Sequence, residues 1–463
     1  MTAETISFPL DPGAAALLTR LHAAGHAAYA VGGCVRDSLL GQIPHDWDLC
    51  TSATPEQVLE LFGEAHCIPT GLQHGTVTVK HGGELYEITT FRTEGAYSDG
   101  RHPDHVAFVP DVKEDLARRD FTINAMAYSA EEGLIDPFGG RDDLAAHLVR
   151  AVGEPERRFE EDALRILRLY RFAARFGFAI DLATGAAARA LGPHLDCVSA
   201  ERIQEELLKL LAAPRPGSYL EPAVLAVILP ELEPEKQPER FAELCRTIDR
   251  IEPTAENVPA RLAALLCPLG EAGARKALRK LKCSNALTDE VTVLEREAGG
   301  GAGSFLLSRS RDRWAGSSSE DRPLGWDPAA AGSRAGDGMA RTVSEEEAPG
   351  TPGSDQTLMA KRLLGRYELP TIQRLTALCS ARHPEQAGVF AALRAEAERL
   401  TAENACCRVS QLAVNGRDLM AAGVRPGPGL RQVLNALLEA VITGQTPNEK
   451  DALLAAAAQF SAS

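Results

Sequence analysis

The stretch FEEDALRILRLYRFAARF, Phe159 to Phe176, decides how the rest of this chain reads. Its spacing predicts a helix, and Leu164, Ile166, Leu167, Leu169, Tyr170 and Phe172 make much of its circumference apolar. Yet Asp162 is followed at steps of three by Arg165, Arg168 and Arg171, and then by Arg175. Positions three apart on an α-helix drift by about −60°, so the acid and the arginines trace a slow spiral along one side. Asp162 and Arg165 are i,i+3 neighbours and are expected to meet. A guanidinium cannot shed its proton, so each arginine on a helix with few solvated positions needs an anion or an acceptor. Glu160 and Glu161 supply one explanation, an arginine-rich surface helix. A ligand supplies the other. A carboxylate accepts from an exocyclic amine such as cytosine N4, and a neighbouring guanidinium donates to a ring nitrogen or carbonyl. One Asp–Arg pair then reads an incoming nucleotide with no nucleic-acid template, while Arg168 and Arg171 hold phosphate or keep the pair in register.

Upstream, residues 1–150 alternate short strands and helices. AAYAV (27–31) reads as a strand, followed by a Gly32-Gly33 turn and a helix through Leu40. A glycine turn lets backbone N–H groups approach phosphate, a helix N-terminus favours anions, and Arg36 can clamp phosphate bidentately. HDWDLCT reads as a short strand, which sends Asp46 and Asp48 to one face and Trp47 to the other. Two adjacent carboxylates suit Mg²⁺, which takes one or two of them and fills its shell with water and phosphate. Alone, Asp-x-Asp is also an exposed turn. Thr54-Pro55-Glu56 is a helix start. TVTVK (76–80) and ELYEITTFR (84–92) alternate as a hairpin through His81-Gly82-Gly83. Glu87 lies on that second strand, either on a solvent face or as a third carboxylate near the metal. A polar loop spans 94–106. In ARRDFTINAMAY (117–128), Asp120 is expected to cap an apolar helix, with Arg119 reaching a triphosphate or ribose.

From Glu154 to about Ala298 the pattern is helical, and SAERIQEELLKLL (199–211) opens with a serine cap. Residues 298–357 are rich in Gly, Ser, Pro and charge and read as a flexible insert. Helical spacing returns for 358–463, and no internal repeat is evident. The expected class is α+β: a mixed α/β head (1–150) followed by helical domains, with the insert between them.

The chain has 463 residues, 44% of them hydrophobic and only 5% aromatic, which predicts several domains with aliphatic cores. Its formal charge of −15 argues against a nonspecific nucleic-acid binder. A local basic cleft remains compatible with that charge, because fields are screened over about 8 Å at physiological salt. The ten cysteines are scattered without a CxxC pair, as expected of reduced thiols in a cytoplasmic protein. No signal peptide or membrane-spanning run is expected.

Together, GGCVRD, DWD, RRDFTINA and EDALRILRLYRFA resemble the motifs of the class II tRNA nucleotidyltransferases, in the polymerase-β-like superfamily that includes CCA-adding enzymes and bacterial poly(A) polymerases. The match is strongest over 27–211, with an echo of the long bacterial CCA-adding type at 412–454. The resemblance implies a nucleotidyltransferase head (1–150), a helical neck carrying the arginine helix (151–215), a helical body (216–297) and, after the insert, a tRNA-binding helical tail (358–463). It implies addition of C and A from CTP and ATP to the 3′ end of tRNA, with Mg²⁺ as cofactor and pyrophosphate as product. Asp46 and Asp48 carry over as catalytic metal ligands. Gly32, Gly33, Arg36 and Arg119 carry over as triphosphate and nucleotide contacts, Asp162 and Arg165 as the base-reading pair, and Arg168 and Arg171 as further nucleotide-site residues. Some members add an HD phosphohydrolase domain, but RLAALLCPLG (261–270) holds Cys-Pro where that pair would stand. A-only addition and poly(A) synthesis share these motifs. A catalytically silent RNA-binding protein and a small-molecule nucleotidyltransferase are the alternatives from other classes.

Overall fold

The computed structural model describes residues 7–69, 71–95, 106–299 and 353–460. The insert expected at 298–357 and the loop at 94–106 therefore fall almost wholly outside the described residues. Two compact units emerge, Met1–Thr292 and Val293–Ser463.

The first unit begins with helix α1 (Pro12–Ala23), β1 (Ala28–Val31), α2 (Gly33–Leu39) and β2 (Leu49–Thr51). After α3 (Pro55–Phe62) come β3 (Cys67–Ile68), β4 (Thr76–His81), β5 (Glu84–Thr90), β6 (Arg92–Glu94) and β7 (Val106–Phe108). Helix α4 (Val112–Ala117) then leads to β8 (Ala127–Ser129) and β9 (Gly133–Ile135). Seven strands form one mixed sheet in the order β3-β4-β5-β2-β1-β8-β9. Only β2 and β5 run parallel within it, with Leu49 opposite Ile88. The hairpin between β4 and β5 turns on Gly82 and Gly83 as its spacing predicted. Tyr29, Val31, Cys50, Phe91, Leu116 and Ala127 pack one core against the sheet. Helix α3 starts at Thr54, where Gln57 completes a capping box.

The remainder of this unit is helical apart from a two-stranded ladder, β10 (Leu148–Val149) with β11 (Ala179–Ile180). Its helices are α5 (Gly140–Ala145), α6 (Pro155–Glu161), α7 (Leu164–Phe176), α8 (Leu182–Ala190), α9 (Ala200–Leu211), α10 (Pro222–Ile228), α11 (Pro238–Arg250), α12 (Val258–Leu266) and α13 (Gly270–Lys280), and the chain crosses into the second unit within α14 (Asn285–Gly299). Arg261 is fully buried in α12 and donates to the carbonyls of Leu211, Ala213 and Ile251, which closes the C-terminal end of α9. In the second unit, helices such as Leu369–Arg382 and Ala387–Ala402 pack together, and the helix Pro428–Ile442 shares a core with Lys450–Phe460 through Val433, Leu437 and Leu453. Among the described residues no helix is long and apolar enough to cross a membrane.

Four local expectations are corrected. The arginine stretch is two helices, because the chain breaks at Asp162 and Ala163. The break carries neither Gly nor Pro; Asp162 Oδ1 instead accepts the Leu164 N–H at 3.1 Å and opens α7. The strand after Trp47 begins only at Leu49, so Asp46 and Asp48 precede it. No α-helix follows Asp120; a 3₁₀ turn (Thr122–Asn124) leads straight into β8. Ser199 occupies the cap of α9 without a side-chain hydrogen bond to it.

Candidate active site

One cavity of about 540 Å³ gathers the motifs. Gly32, Gly33, Arg36, Asp46, Asp48 and Arg119 line it from the head, and Asp162, Arg165, Arg168 and Arg171 line it from α7 and the break before it. Its lining holds eight arginines against five aspartates. A protein of charge −15 thus presents a locally cationic cavity, which favours a polyanion such as a triphosphate.

Gly32 needs to be glycine for two reasons. Its φ is 77°, and a Cβ would stand 2.8 Å from the Arg119 guanidinium. The Gly32 N–H is spent on Met126 O. The amides free to face an anion are therefore those of the first turn of α2, from Gly33 onward, which have no intrahelical partner.

Although Asp46 and Asp48 precede the strand, they keep the expected alternation: both line the cavity and Trp47 does not. The Asp48 carbonyl accepts from Val31 N, which ties it to β1. Its side chain reaches solvent but is crowded by protein. That desolvation raises its carboxyl, Glu87 and Asp46 add repulsion, and Arg119 opposes them. Glu87 is exposed and lies outside the cavity lining, yet it neighbours Asp48 through the β2–β5 register.

The arginine ladder has two supports, carboxylates and aromatic faces. Arg168 makes a fork to Asp120 Oδ2 at 2.9 and 2.6 Å. Arg171 pairs with Glu206 at 2.6 Å and Arg175 with Asp37 at 3.3 Å. The Phe172 ring lies under the guanidinium groups of Arg36, Arg168 and Arg171, and Phe176 under those of Arg36 and Arg175. Such cation–π contacts are worth about 0.5–2 kcal/mol each. Arg36 is buried and donates to Asp37 at 2.8 Å and to Asn124 Oδ1, while Asn124 Nδ2 donates to Asp120 at 3.0 Å. A closed circuit therefore runs Arg168–Asp120–Asn124–Arg36–Asp37–Arg175, leaving α7 and returning to it one face-length later.

Asp162 and Arg165 do not pair with each other as the i,i+3 spacing suggested. Arg165 donates to Glu161 at 2.8 Å and to the carbonyls of Arg118 and Arg158. Asp162 is held by Arg202 of α9 at 2.8 and 3.3 Å. The sequence reading did not single out Arg202, Glu206, Asn124 or Asp37. One signal was present: Arg202 and Glu206 stand one turn apart on α9, an opposite-charge pair that meets α7.

A mixed sheet bearing a glycine turn and paired aspartates, joined to a helix of stacked arginines with an acid at the break before it, defines a nucleotidyltransferase. Family comparison agrees. Residues 28–150 match the poly A polymerase head domain, residues 177–236 a probable RNA and SrmB-binding site of polymerase A, and residues 374–457 a putative tRNA nucleotidyltransferase domain 2.

The chain belongs to the CCA-adding enzymes. It is 35% identical to the CCA-adding enzyme of Lactobacillus helveticus over 94% of each chain, and 34% identical to that of Limosilactobacillus fermentum over 99% of each. The crystal structure of the Bacillus stearothermophilus CCA-adding enzyme in complex with CTP superposes with a TM-score of 0.71 at 30% identity, covering 97% of this chain and 98% of the other. A Thermotoga maritima CCA-adding enzyme complexed with tRNA shares the fold at a TM-score of 0.62 and 21% identity, over 97% and 96%.

Proposed function

We propose that this protein adds C, C and A to the 3′ end of tRNA from CTP and ATP without a nucleic-acid template, releasing pyrophosphate, and that it does so in the cytoplasm. The observation that carries the proposal is the convergence, in one cationic cavity, of the Asp46–Asp48 pair with an acceptor and a donor, Asp162 and Arg165, fixed by separate partners.

The donor set at Asp46 and Asp48 fits a hard divalent cation. It is carboxylate oxygen, Asp48 is disfavoured as an isolated anion, and no group of three or more potential ligands forms among the described residues. Mg²⁺ needs no such group, since water and phosphate complete its shell. Held there, Mg²⁺ would activate the tRNA 3′-hydroxyl and neutralise the leaving pyrophosphate. Glu87 contributes to the same field from β5. Arg119 and the remaining N–H groups of Arg36 face the triphosphate and offset its charge. Asp162 accepts from the base's exocyclic amine and Arg165 donates to its ring edge. Arg168 keeps α7 in register with the head through Asp120, and Arg171 ties it to α9 through Glu206. The 3′-hydroxyl gives up its proton to solvent, its oxygen bonds to the α-phosphorus, and the bond to the bridging oxygen breaks to release pyrophosphate.

Primer extension tests this. Transcripts ending at the discriminator base, at C and at CC are offered CTP, ATP or both with Mg²⁺, and all three should finish at CCA and stop. Extension of the CC-ending transcript alone would make it an A-adding enzyme, and long A tails a poly(A) polymerase. An Asp46→Ala/Asp48→Ala variant should bind tRNA and incorporate nothing.

A further inference from the structure

We propose that a second cavity, on the far side of α7 from the paired aspartates, is a ligand site of its own, and that it takes an amine-bearing nucleobase without a triphosphate.

This cavity measures about 630 Å³, inside the range of roughly 300–1,000 Å³ usual for small-molecule sites. Its walls come from β11, the first turn of α8, a 3₁₀ turn (Pro216–Tyr219) and the start of α10. Tyr170 of α7 lines it as well. Standing two residues past Arg168, Tyr170 points about 200° round the helix. The body of α7 therefore separates the two cavities, and none of Arg165, Arg168, Arg171 and Arg175 lines this one.

Charge narrows the ligand. The cationic cavity sets eight arginines against five aspartates, whereas this one sets Arg189 against Asp181 and Glu221. A triphosphate would meet two carboxylates here, and an organic cation would meet Arg189, so a neutral molecule fits best. Phe178, Ile180, Tyr219 and Leu220 offer it a wall suited to a flat ring. Leu182, also in the lining, is 89% exposed, an apolar side chain that a ligand would cover.

The polar groups define the ligand's edge. Tyr170 is 4% exposed, and its hydroxyl is buried with no partner at hydrogen-bond distance. Burial, with the Glu221 charge farther off, raises its pKa and keeps it a donor. Arg189 and Glu221 approach each other only to 3.8 Å, too far for a hydrogen bond, so each keeps capacity for a ligand. Asp181 is already engaged: its Oδ2 accepts from the Thr184 N–H and hydroxyl at 3.0 Å each. Two donors, Tyr170 and Arg189, thus stand with one acceptor, Glu221. A ring nitrogen that accepts beside an amine that donates answers this set. Adenine and cytosine carry such an amine; uracil carries in its place a carbonyl oxygen, which Glu221 repels. A free nucleoside and an unpaired base of an RNA strand offer the same edge.

Equilibrium dialysis tests this with labelled adenosine and uridine on the full chain, for wild type, Tyr170→Phe and Glu221→Gln, with thermal melts of all three. Excess CTP is present to occupy the cationic cavity. That step alone rests on the reading of the cationic cavity as a nucleotide site, and its failure would show as a second class of adenosine binding that neither variant alters. Wild type should bind adenosine saturably and uridine about tenfold more weakly or worse, and each variant should weaken adenosine about tenfold. A buried donor without an acceptor destabilises the fold, so unliganded Tyr170→Phe should melt no lower than wild type. If Glu221→Gln does not fold, Tyr170→Phe decides alone. A short oligoadenylate that displaces adenosine at lower concentration than adenosine itself assigns the site to an RNA strand; one that does so no better assigns it to a free nucleoside. No saturable binding, equal binding of adenosine and uridine, or adenosine binding that both variants leave unchanged overturns the proposal.

Discussion

Asp120 meets four donors with one carboxylate. Oδ1 accepts from Phe121 N at 2.8 Å and Asn124 Nδ2 at 3.0 Å, and Oδ2 takes both prongs of Arg168. Burial alone would raise this carboxyl; the Arg168 charge and the Asn124 amide more than reverse it and bring it to about 2. A depressed folded-state pKa stabilises the fold above the unfolded value near 3.9 and stops doing so as pH falls towards 2. The gap between these two values corresponds to roughly 2–3 kcal/mol. Asp120→Asn should therefore lose about that much at pH 7, and its deficit should shrink in melts taken towards pH 3. An equal deficit at both ends would place the effect in packing instead of charge. The cap reading made from the sequence missed this role because Arg168 is 48 residues away. Sequence patterns expose side chains whose type and spacing signal a chemistry, and Arg36, Asp46, Asp48, Arg165 and Arg168 were legible for that reason. Asp37, Asn124 and Arg202 line the same cavity, and Asp37 and Asn124 even stand inside GGCVRD and RRDFTINA, yet their pairings, like that of Glu206, exist only in three dimensions.

Elements place these side chains, and here one glycine matters more than any charge. Gly140 starts α5, where a Cβ would fall 2.2 Å from the Thr122 carbonyl oxygen and 2.8 Å from its carbon. Both are backbone atoms, so the neighbour cannot swing aside. Thr122 also bonds Asp143 of α5 at 2.6 Å, which locks the 3₁₀ turn that carries Asn124 and follows Asp120. Gly140→Ala should push that turn and the circuit through Arg36 and Arg168 out of place. Displacements near 1 Å cost about 100-fold in rate, and overpacking costs about 1–3 kcal/mol. The check is kcat/KM for A addition to a CC-ended transcript beside a thermal melt; a normal rate with a lowered Tm would uncouple the turn from catalysis. Elements with a clean local period were readable: the β4–β5 hairpin, the Thr54 cap and α9. The break at Asp162 was not, because no Gly or Pro marks it and tertiary partners on α9 and α6 stabilise it. The segment after Asp120 is apolar enough for a helix, but pairing with β1 and β9 makes it a strand.

At the scale of the whole molecule, the two units should answer pH in opposite senses. In the first, Asp120 loses its contribution on acidification. In the second, Glu295 is buried and its Oε1 has no hydrogen-bond partner. Desolvation raises its carboxyl to about 7, although Arg382 opposes this. A raised folded-state pKa means stability that is full below the unfolded value near 4.3 and lost as pH climbs through 7. The second unit should therefore melt at higher temperature at pH 5 than at pH 8, and the first should lose ground below pH 4. Glu295→Gln removes the charge that must be buried at high pH, so it should stabilise the second unit by about 3–4 kcal/mol at pH 8 and by only about 1 kcal/mol at pH 5. Scanning calorimetry across this range, on wild type, Glu295→Gln and Asp120→Asn, should resolve two transitions that move apart with pH, each flattened by its own variant. If Glu295→Gln leaves the pH 5 to pH 8 slope intact, the alkaline loss belongs to another group. If both variants move one transition together, the chain unfolds as a single cooperative body and the division at Thr292 carries no energetic meaning.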